Sequence, residues 1–495
     1  MPVTGTKGQN MAGFLQALRD HAMFRTKPIS ELTAHCTGEH ALRRVISPFE
    51  LILLGIGAVV GTGIFVITGV AAADYSGPAI ILSFVISGIV CMLAALCYAE
   101  FSAMVPVAGS AYTYCYASLG EVWAWIIGWD LILEYAVAIS AVAIGWSAYV
   151  VNLLADIGVS LPPALINPPG TGGGIINLPA VLIILAITAL LIIGIRESVR
   201  LNTIIVLVNI AVILLFFALS YSHIDAVNWH PFMPYGWTGV FAGAAIVFFA
   251  YVGFDSVMTA AEEIENPQKN LPLGIIGSVT IVIILYVGVA VVLTGVVPYG
   301  DLDTSAPVAY ALNRIGIPSG AALVSLGAIC GITSVILVTL YGQTRIFFAM
   351  ARDGLLPAFF CDLHGTLHTP VKVTVLVGLL TALVAGILPL DFIAELVNIG
   401  TLAAFIIVAF GIIMLRKIQP GIERPFRCPA MPVVPVLCIV SCAVLIIVLP
   451  AVTQARFVVW MLIGLGIYYA FGMRNSTNAR LPEGCTAPGF PGDEK

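Results

Sequence analysis

Gly55, Gly57, Gly61 and Gly63 stand close together in the middle of an apolar stretch long enough to cross a bilayer. Each glycine costs a helix roughly 1 kcal/mol relative to alanine, and backbone groups freed by a break cannot stay unpaired in hydrocarbon. Other groups must therefore bind that backbone, and a small polar ligand is one candidate.

The stretch is not isolated. Of the 495 residues 60% are hydrophobic and only 9% charged, against about 25% charged in soluble domains, and mean hydropathy is +1.05. The apolar residues come in blocks of about 20, the length that spans roughly 30 Å of hydrocarbon. Twelve such blocks are read, at 49–70, 79–99, 122–152, 178–195, 201–221, 239–261, 273–297, 320–349, 371–388, 391–415, 432–450 and 454–472. The first begins too deep in the chain to read as a secretory leader and is expected to be retained. The fold class expected is an all-α polytopic membrane protein of twelve transmembrane helices.

Lysine and arginine collect on the cytoplasmic side of membrane proteins. With the N-terminus inside, every Lys and Arg falls inside except Arg314 and Arg456. One span more or fewer would scatter the later charges over both faces, so both termini are expected in the cytoplasm of a cell membrane. A net charge of −5 gives no reason to expect a nucleic-acid partner. The cysteines fall in spans or on the inner side, so disulfides are not expected. No zinc-type Cys/His spacing occurs.

A second interruption lies five blocks after the first, at Phe248-Phe249-Ala250-Tyr251-Val252-Gly253-Phe254-Asp255. A helix breaker and a carboxylate at mid-membrane are both costly. Broken first and sixth helices are what a five-plus-five inverted repeat predicts, with a ligand held between the breaks near the midplane. The domain plan is a cytoplasmic segment 1–47, a membrane domain 48–472 (repeats 48–221 and 239–415, extra helices 432–472) and a tail 473–495. Phe14 to Phe24 is weakly amphipathic and reads as either a surface helix or a solvated tail.

The glycine run has competing readings. A dinucleotide site needs a strand-helix-strand setting, which is missing here, and a helix-packing stripe needs its glycines on one face. Unwinding at Val59 to Gly63 instead directs the N–H groups of Gly61, Thr62 and Gly63 at an anion, aided by the positive end of the following half-helix. The carbonyls of Val59, Phe249, Ala250 and Val252 are then free to take a cation such as an ammonium group, a pair of charges that an α-amino acid carries. Glu134 is an isolated acid deep in the third block, either a hydrogen-bonded structural group or a proton carrier. Asp255 reads as a group that positions the second break or touches the ligand. Thr333 and Ser334 offer hydroxyls to a cation or back-bond within their helix, and Thr339 is placed to line a side-chain pocket. The seven histidines lie in loops or tails. No catalytic constellation or cofactor motif appears, and an enzyme is not expected.

Several segments together resemble the cationic amino acid transporter family, in its bacterial form, of the amino acid-polyamine-organocation superfamily. They are Phe24 to Ile29, Gly55 to Phe65, Gly128 to Tyr135, Gly194 to Ser198, Phe249 to Asp255, Glu262 to Pro272, and Tyr341 to Pro357. The resemblance implies an inverted-repeat transporter working by alternating access, with an amino acid recognised by backbone at the two breaks. It also implies a lysine on the fifth helix, against the first break, in proton-coupled members. Here Asn209 falls at that position, and an amide carries no proton. Coupling is then left to Glu134, to a sodium ion near Thr333 and Ser334, or to neither.

The function expected is an amino acid permease for small neutral substrates such as alanine, because no acid stands beside the expected side-chain pocket. The alternatives are a cationic amino acid or polyamine carrier and a non-transporting amino acid sensor.

Overall fold

A computed structural model describes residues 26–27, 46–107, 109–193, 198–362 and 370–476. The amphipathic Phe14 to Phe24 piece, most of the Phe24 to Ile29 and Gly194 to Ser198 segments, and the tail after Ser476 lie outside the described residues.

The regular structure among the described residues is helical, with one isolated bridge between Ile46 and Ile264. The main helices are α1 (Pro48–Val59), α2 (Ile80–Met104), α3 (Glu121–Asp156), α4 (Leu178–Ile193), α5 (Ser198–Ser220), α6 (Gly236–Val247), α7 (Pro267–Val296), α8 (Pro318–Arg352), α9 (Val371–Ile387), α10 (Leu390–Ile418), α11 (Val433–Val448) and α12 (Ala451–Ile467). Among the described residues, eight helical stretches are long and apolar enough to cross a membrane, and four shorter apolar helices occupy the remaining blocks. The first stretch, Gly63–Met104, joins the end of the first block to the second. Gly77, at φ +61°, turns the chain between them, so the first block runs to Ser76 rather than to 70.

Local chemistry explains where the helices start. Ser47 caps α1 in a reciprocal box with Glu50, with Pro48 in the first turn, which satisfies two otherwise unpaired amides. Asn266, at φ +45°, precedes Pro267 at the start of α7, so the Asn-Pro pair separates the sixth segment from the seventh helix. Outward faces are apolar as well, with Ile204, Ile284, Leu383 and Ile447 all exposed, the pattern of a surface that meets lipid rather than water.

Ionic contacts gather the helix ends. Glu100, fully buried near the end of α2, accepts from Arg416 of α10 at 2.8 and 2.5 Å and from the Cys428 amide at 2.7 Å, with Arg424 at 3.2 Å. Asp353, after α8, takes Lys27 at 3.1 Å and the Tyr112 hydroxyl at 2.7 Å. The Glu265 amide donates to the Ile46 carbonyl at 3.1 Å, closing the start of the first segment onto the end of the sixth. Arg314 pairs with Asp301 at 2.5 Å, and Arg456 lies 3.9 Å over the Phe392 ring beside the start of α10.

Cys91, Cys97, Cys115, Cys330, Cys428, Cys438 and Cys442 are free. Cys361 is disulfide-bonded, which corrects the expectation of no disulfide, and its partner lies outside the described residues. Linear spacing does not report which connecting segments meet.

Glu100→Gln leaves two arginines facing a neutral amide. Breaking a buried ion pair from one side costs on the order of 3 kcal/mol, so the variant is expected to lose several degrees of apparent melting temperature in detergent, measured by fluorescence-detected size exclusion.

Candidate functional site

The helical bonding of α1 stops at Val59 and resumes with a wide turn over Gly63–Ile67. Between them Val60 is extended, at φ −76° and ψ 90°. The first N–H groups of the new segment have no turn behind them to bond, and these belong to the residues around Gly61 to Gly63. The sixth segment breaks in a matching way. After α6 come a tight turn at Phe248–Tyr251, an extended Val252, Gly253 at φ +115°, and a second tight helix over Phe254–Glu263.

The two breaks touch through backbone. A Cβ on Gly63 would lie 2.3 Å from the Ala250 Cα, and one on Gly253 would lie 2.5 Å from the Ala58 carbonyl oxygen. Each glycine thus admits the main chain of the other break. The remaining glycines of the run face different helices: Gly55 meets Ser278 of α7, Gly57 meets Val206 of α5, and Gly61 meets Val335 of α8. They surround the axis, as expected, and also serve close packing.

Side chains donate to carbonyls at and beside the breaks. Tyr286 of α7 donates to Val59 at 3.1 Å, Asn209 of α5 to Val60 at 3.1 Å, and Tyr149 of α3 to Phe65 at 2.7 Å. On the sixth segment, Asn398 of α10 donates to Ala245 and Ile246 at 2.7 and 3.2 Å, and Ser87 of α2 donates to Ala244 at 2.7 Å.

A cavity opens between the breaks, α3 and α8. Water-sized centres have about 30 Å³ in it, room for roughly two or three waters. Of the residues singled out in the sequence, Val59, Gly61, Thr62, Gly63, Phe249, Val252, Asp255, Thr339 and Glu134 line it. Thr62 contributes backbone, since its hydroxyl donates to the Val142 carbonyl at 3.1 Å. Asp255 accepts from Tyr135 at 3.0 Å.

Four residues stand apart from the cavity wall. Ala250 packs against Gly63. Asn209 is held on Val60 with its side-chain oxygen unpartnered. Ser334 donates to Asn202. Thr333 donates to the Ile329 carbonyl at 2.7 Å and accepts from Trp146 at 2.9 Å, so its hydroxyl back-bonds along the helix. The carbonyls of Val59 and Phe249 each already accept a bond, from Tyr286 and from the Val252 amide, and offer a cation only their second lone pair.

Tyr135, Ser256, Ala138, Val142 and Val335 also line the cavity without having been singled out. The last three were findable: Ala138 and Val142 lie one and two turns after Glu134, and Val335 one turn before Thr339, on the faces those residues mark. Two carboxyl groups, Glu134 and Asp255, share the cavity with Thr339, whereas no acid was expected beside the side-chain pocket that Thr339 marks.

An amino acid permease family model matches residues 46–471. The methylthioribose transporter of Bacillus subtilis (strain 168) is 48% identical over 456 residues, covering 92% of this chain and 99% of the relative. The branched-chain amino acid permease BcaP of the same organism is 49% identical over 459 residues, covering 92% and 98%. The vacuolar cationic amino acid transporter 4 of Arabidopsis thaliana is 38% identical over 390 residues, 77% of this chain and 65% of the relative.

Gly253→Ala meets both a left-handed backbone and the Ala58 carbonyl, whereas Gly158→Ala at φ +84° meets nothing within 4 Å. A left-handed alanine alone costs about 1–2 kcal/mol. Gly253→Ala is therefore expected to lower the melting temperature clearly more than Gly158→Ala, measured on the purified variants side by side.

Proposed function

We propose that this chain, which belongs to the amino acid permease family, is a secondary active permease that moves a neutral amino acid across the cytoplasmic membrane by alternating access. The observation that carries the reading is the convergence of two helix breaks on one cavity lined by Gly61, Thr62 and Gly63. Their amides take the substrate carboxylate, and the half-helix that follows adds its positive end. The carbonyl of Val252 and the free lone pairs of Val59 and Phe249 take the ammonium. Ala250 acts by letting Gly63 approach.

The overall plan proposed is twelve spans with both termini cytoplasmic, as two inverted five-helix repeats over 48–221 and 239–415 and two extra helices over 432–472. The polar segments 1–47 and 473–495 stay on the inner side. Four intervening helices, α2 to α5, separate the broken segments, and the ionic contacts at Glu100 and Asp353 lie at the end where Lys27, Arg416 and Arg424 collect, which supports that sidedness.

Ala138, Val142, Val335 and Thr339 form the wall opposite the breaks. Small and branched groups there suit a small or branched aliphatic side chain, alanine through valine, and the likeness to a branched-chain permease supports that range. A cationic substrate is the second reading, favoured by Glu134 and Asp255 in the same cavity. The coupling ion, if there is one, is a proton on Glu134 or a sodium ion near Asn209, Thr333 and Ser334. The hydroxyls of Thr333 and Ser334 are engaged elsewhere, and this favours the proton.

Uptake into proteoliposomes of alanine, valine, leucine and arginine, driven first by a proton and then by a sodium gradient, tests these statements together. Neutral amino acids are expected to be taken up and to compete with one another, with arginine and putrescine competing poorly. Failure of the whole panel to be transported overturns the permease reading, and binding without flux supports a sensor. Gly63→Leu should abolish uptake while the protein still inserts. Asn209→Lys places an ammonium beside the Val60 carbonyl and is expected to change the pH profile of transport; an unchanged pH and sodium profile counts against a coupling role for that position.

A further inference from the structure

The Tyr286 hydroxyl donates to the Val59 carbonyl, the last residue of α1 before the first break. Tyr286 is fully buried, does not line the cavity, and so reaches Val59 from outside the cavity wall. Its ring packs at 5.2 Å from Tyr251, which belongs to the sixth-segment break, and at 5.7 Å from Phe84 of α2. Phe84 and Tyr251 are also in ring contact at 6.2 Å, and the Tyr251 hydroxyl donates to the Phe84 carbonyl at 2.8 Å. Gly88, one turn on from Phe84, leaves space for this cluster: a Cβ there would lie 2.7 Å from Ile283 and 3.1 Å from the Tyr251 hydroxyl.

The three rings join the two breaks by a route that bypasses the ligand. One end holds a carbonyl of the first break by a hydrogen bond, and the other end is itself a residue of the second. Val59 lies where α1 would otherwise continue its ladder. A donor on its oxygen takes one of its two lone pairs and competes with the amide four residues on, which is the amide of Gly63. The amides facing the cavity then stay available.

We propose that Tyr286 is a positioning residue that keeps the first break unwound and, through Tyr251 and Phe84, ties its geometry to that of the second. It acts through Val59 without touching the substrate. The value of this arrangement for substrate binding rests on the permease reading, but the link between the breaks does not.

Tyr286→Phe deletes the hydroxyl and keeps the ring. Hydrogen exchange of the purified, ligand-free protein is expected to fall several-fold at the Gly63 amide, which can then bond the Val59 carbonyl, and to shift also at Val252 to Asp255, although the deleted hydroxyl touches only the first break. A change confined to the first break, or none at either, overturns the link. Tyr251→Phe, which loses the bond to Phe84, is the second variant should the first fail to fold, and it is likewise expected to change exchange at both breaks. In proteoliposomes the expected effect of Tyr286→Phe is about a tenfold rise in KM with maximal rate changed less than twofold. An equal loss in both parameters, or a fall in rate alone, points to general destabilisation and counts against positioning. If the wild type transports nothing, the permease reading fails while the exchange experiment still judges the link.

Discussion

A carbonyl inside a membrane protein must have a donor, and breaking two helices in one bundle releases several. The surrounding helices are organised around that demand. Tyr149 comes from α3, Asn209 from α5, Tyr286 from α7, Ser87 from α2 and Asn398 from α10. Each is a polar group on a mostly apolar helix whose donor is used, although the amide oxygens of Asn209 and Asn398 stay buried without a partner. With water absent, the alternative is a group left unpaired at several kcal/mol. The breaks are therefore held open by their neighbours rather than by disorder.

With the carbonyls held, glycine decides how near the breaks come. Gly63 against Ala250 and Gly253 against Ala58 bring two main chains together with no side chain between them. Nothing bulkier than hydrogen fits at either contact. The remaining volume lies toward α3 and α8, where Glu134, Ala138, Val142, Val335 and Thr339 close it. At the ends of the bundle the few charges pair in compact groups such as Glu100 with Arg416 and Arg424. Toward the middle stand neutral donors, the cavity carboxyls Glu134 and Asp255, and Asp130, buried one turn before Glu134.

Much of this was legible in the chain because breaking a membrane helix requires conspicuous residues. The glycine run and Phe249 to Asp255 marked both breaks, and Glu134 stood out as an acid where acids are expensive. The answering groups were harder to see. Tyr149, Tyr286 and Asn398 look like ordinary polar insertions until their partners, more than a hundred residues away for Tyr286 and Asn398, are brought alongside. Thr333 shows the opposite failure, since its hydroxyl was as eligible for a ligand as for its own helix, and the local carbonyl of Ile329 won. Helix limits also shifted where a turn keeps helical handedness, as at Gly63 to Ser76, because composition does not distinguish a wide turn from a regular one.

The division of the cavity into a main-chain wall and a side-chain wall has an evolutionary consequence. On the proposed reading the part common to every amino acid is recognised by backbone, and any side chain at Gly63 or Gly253 would collide with the other break. The opposite wall is built from single side chains on two regular helices, each replaceable without disturbing a fold element. A cavity that works as proposed could diversify its cargo by point changes on one side while its grip on the shared part of the molecule is inherited unchanged.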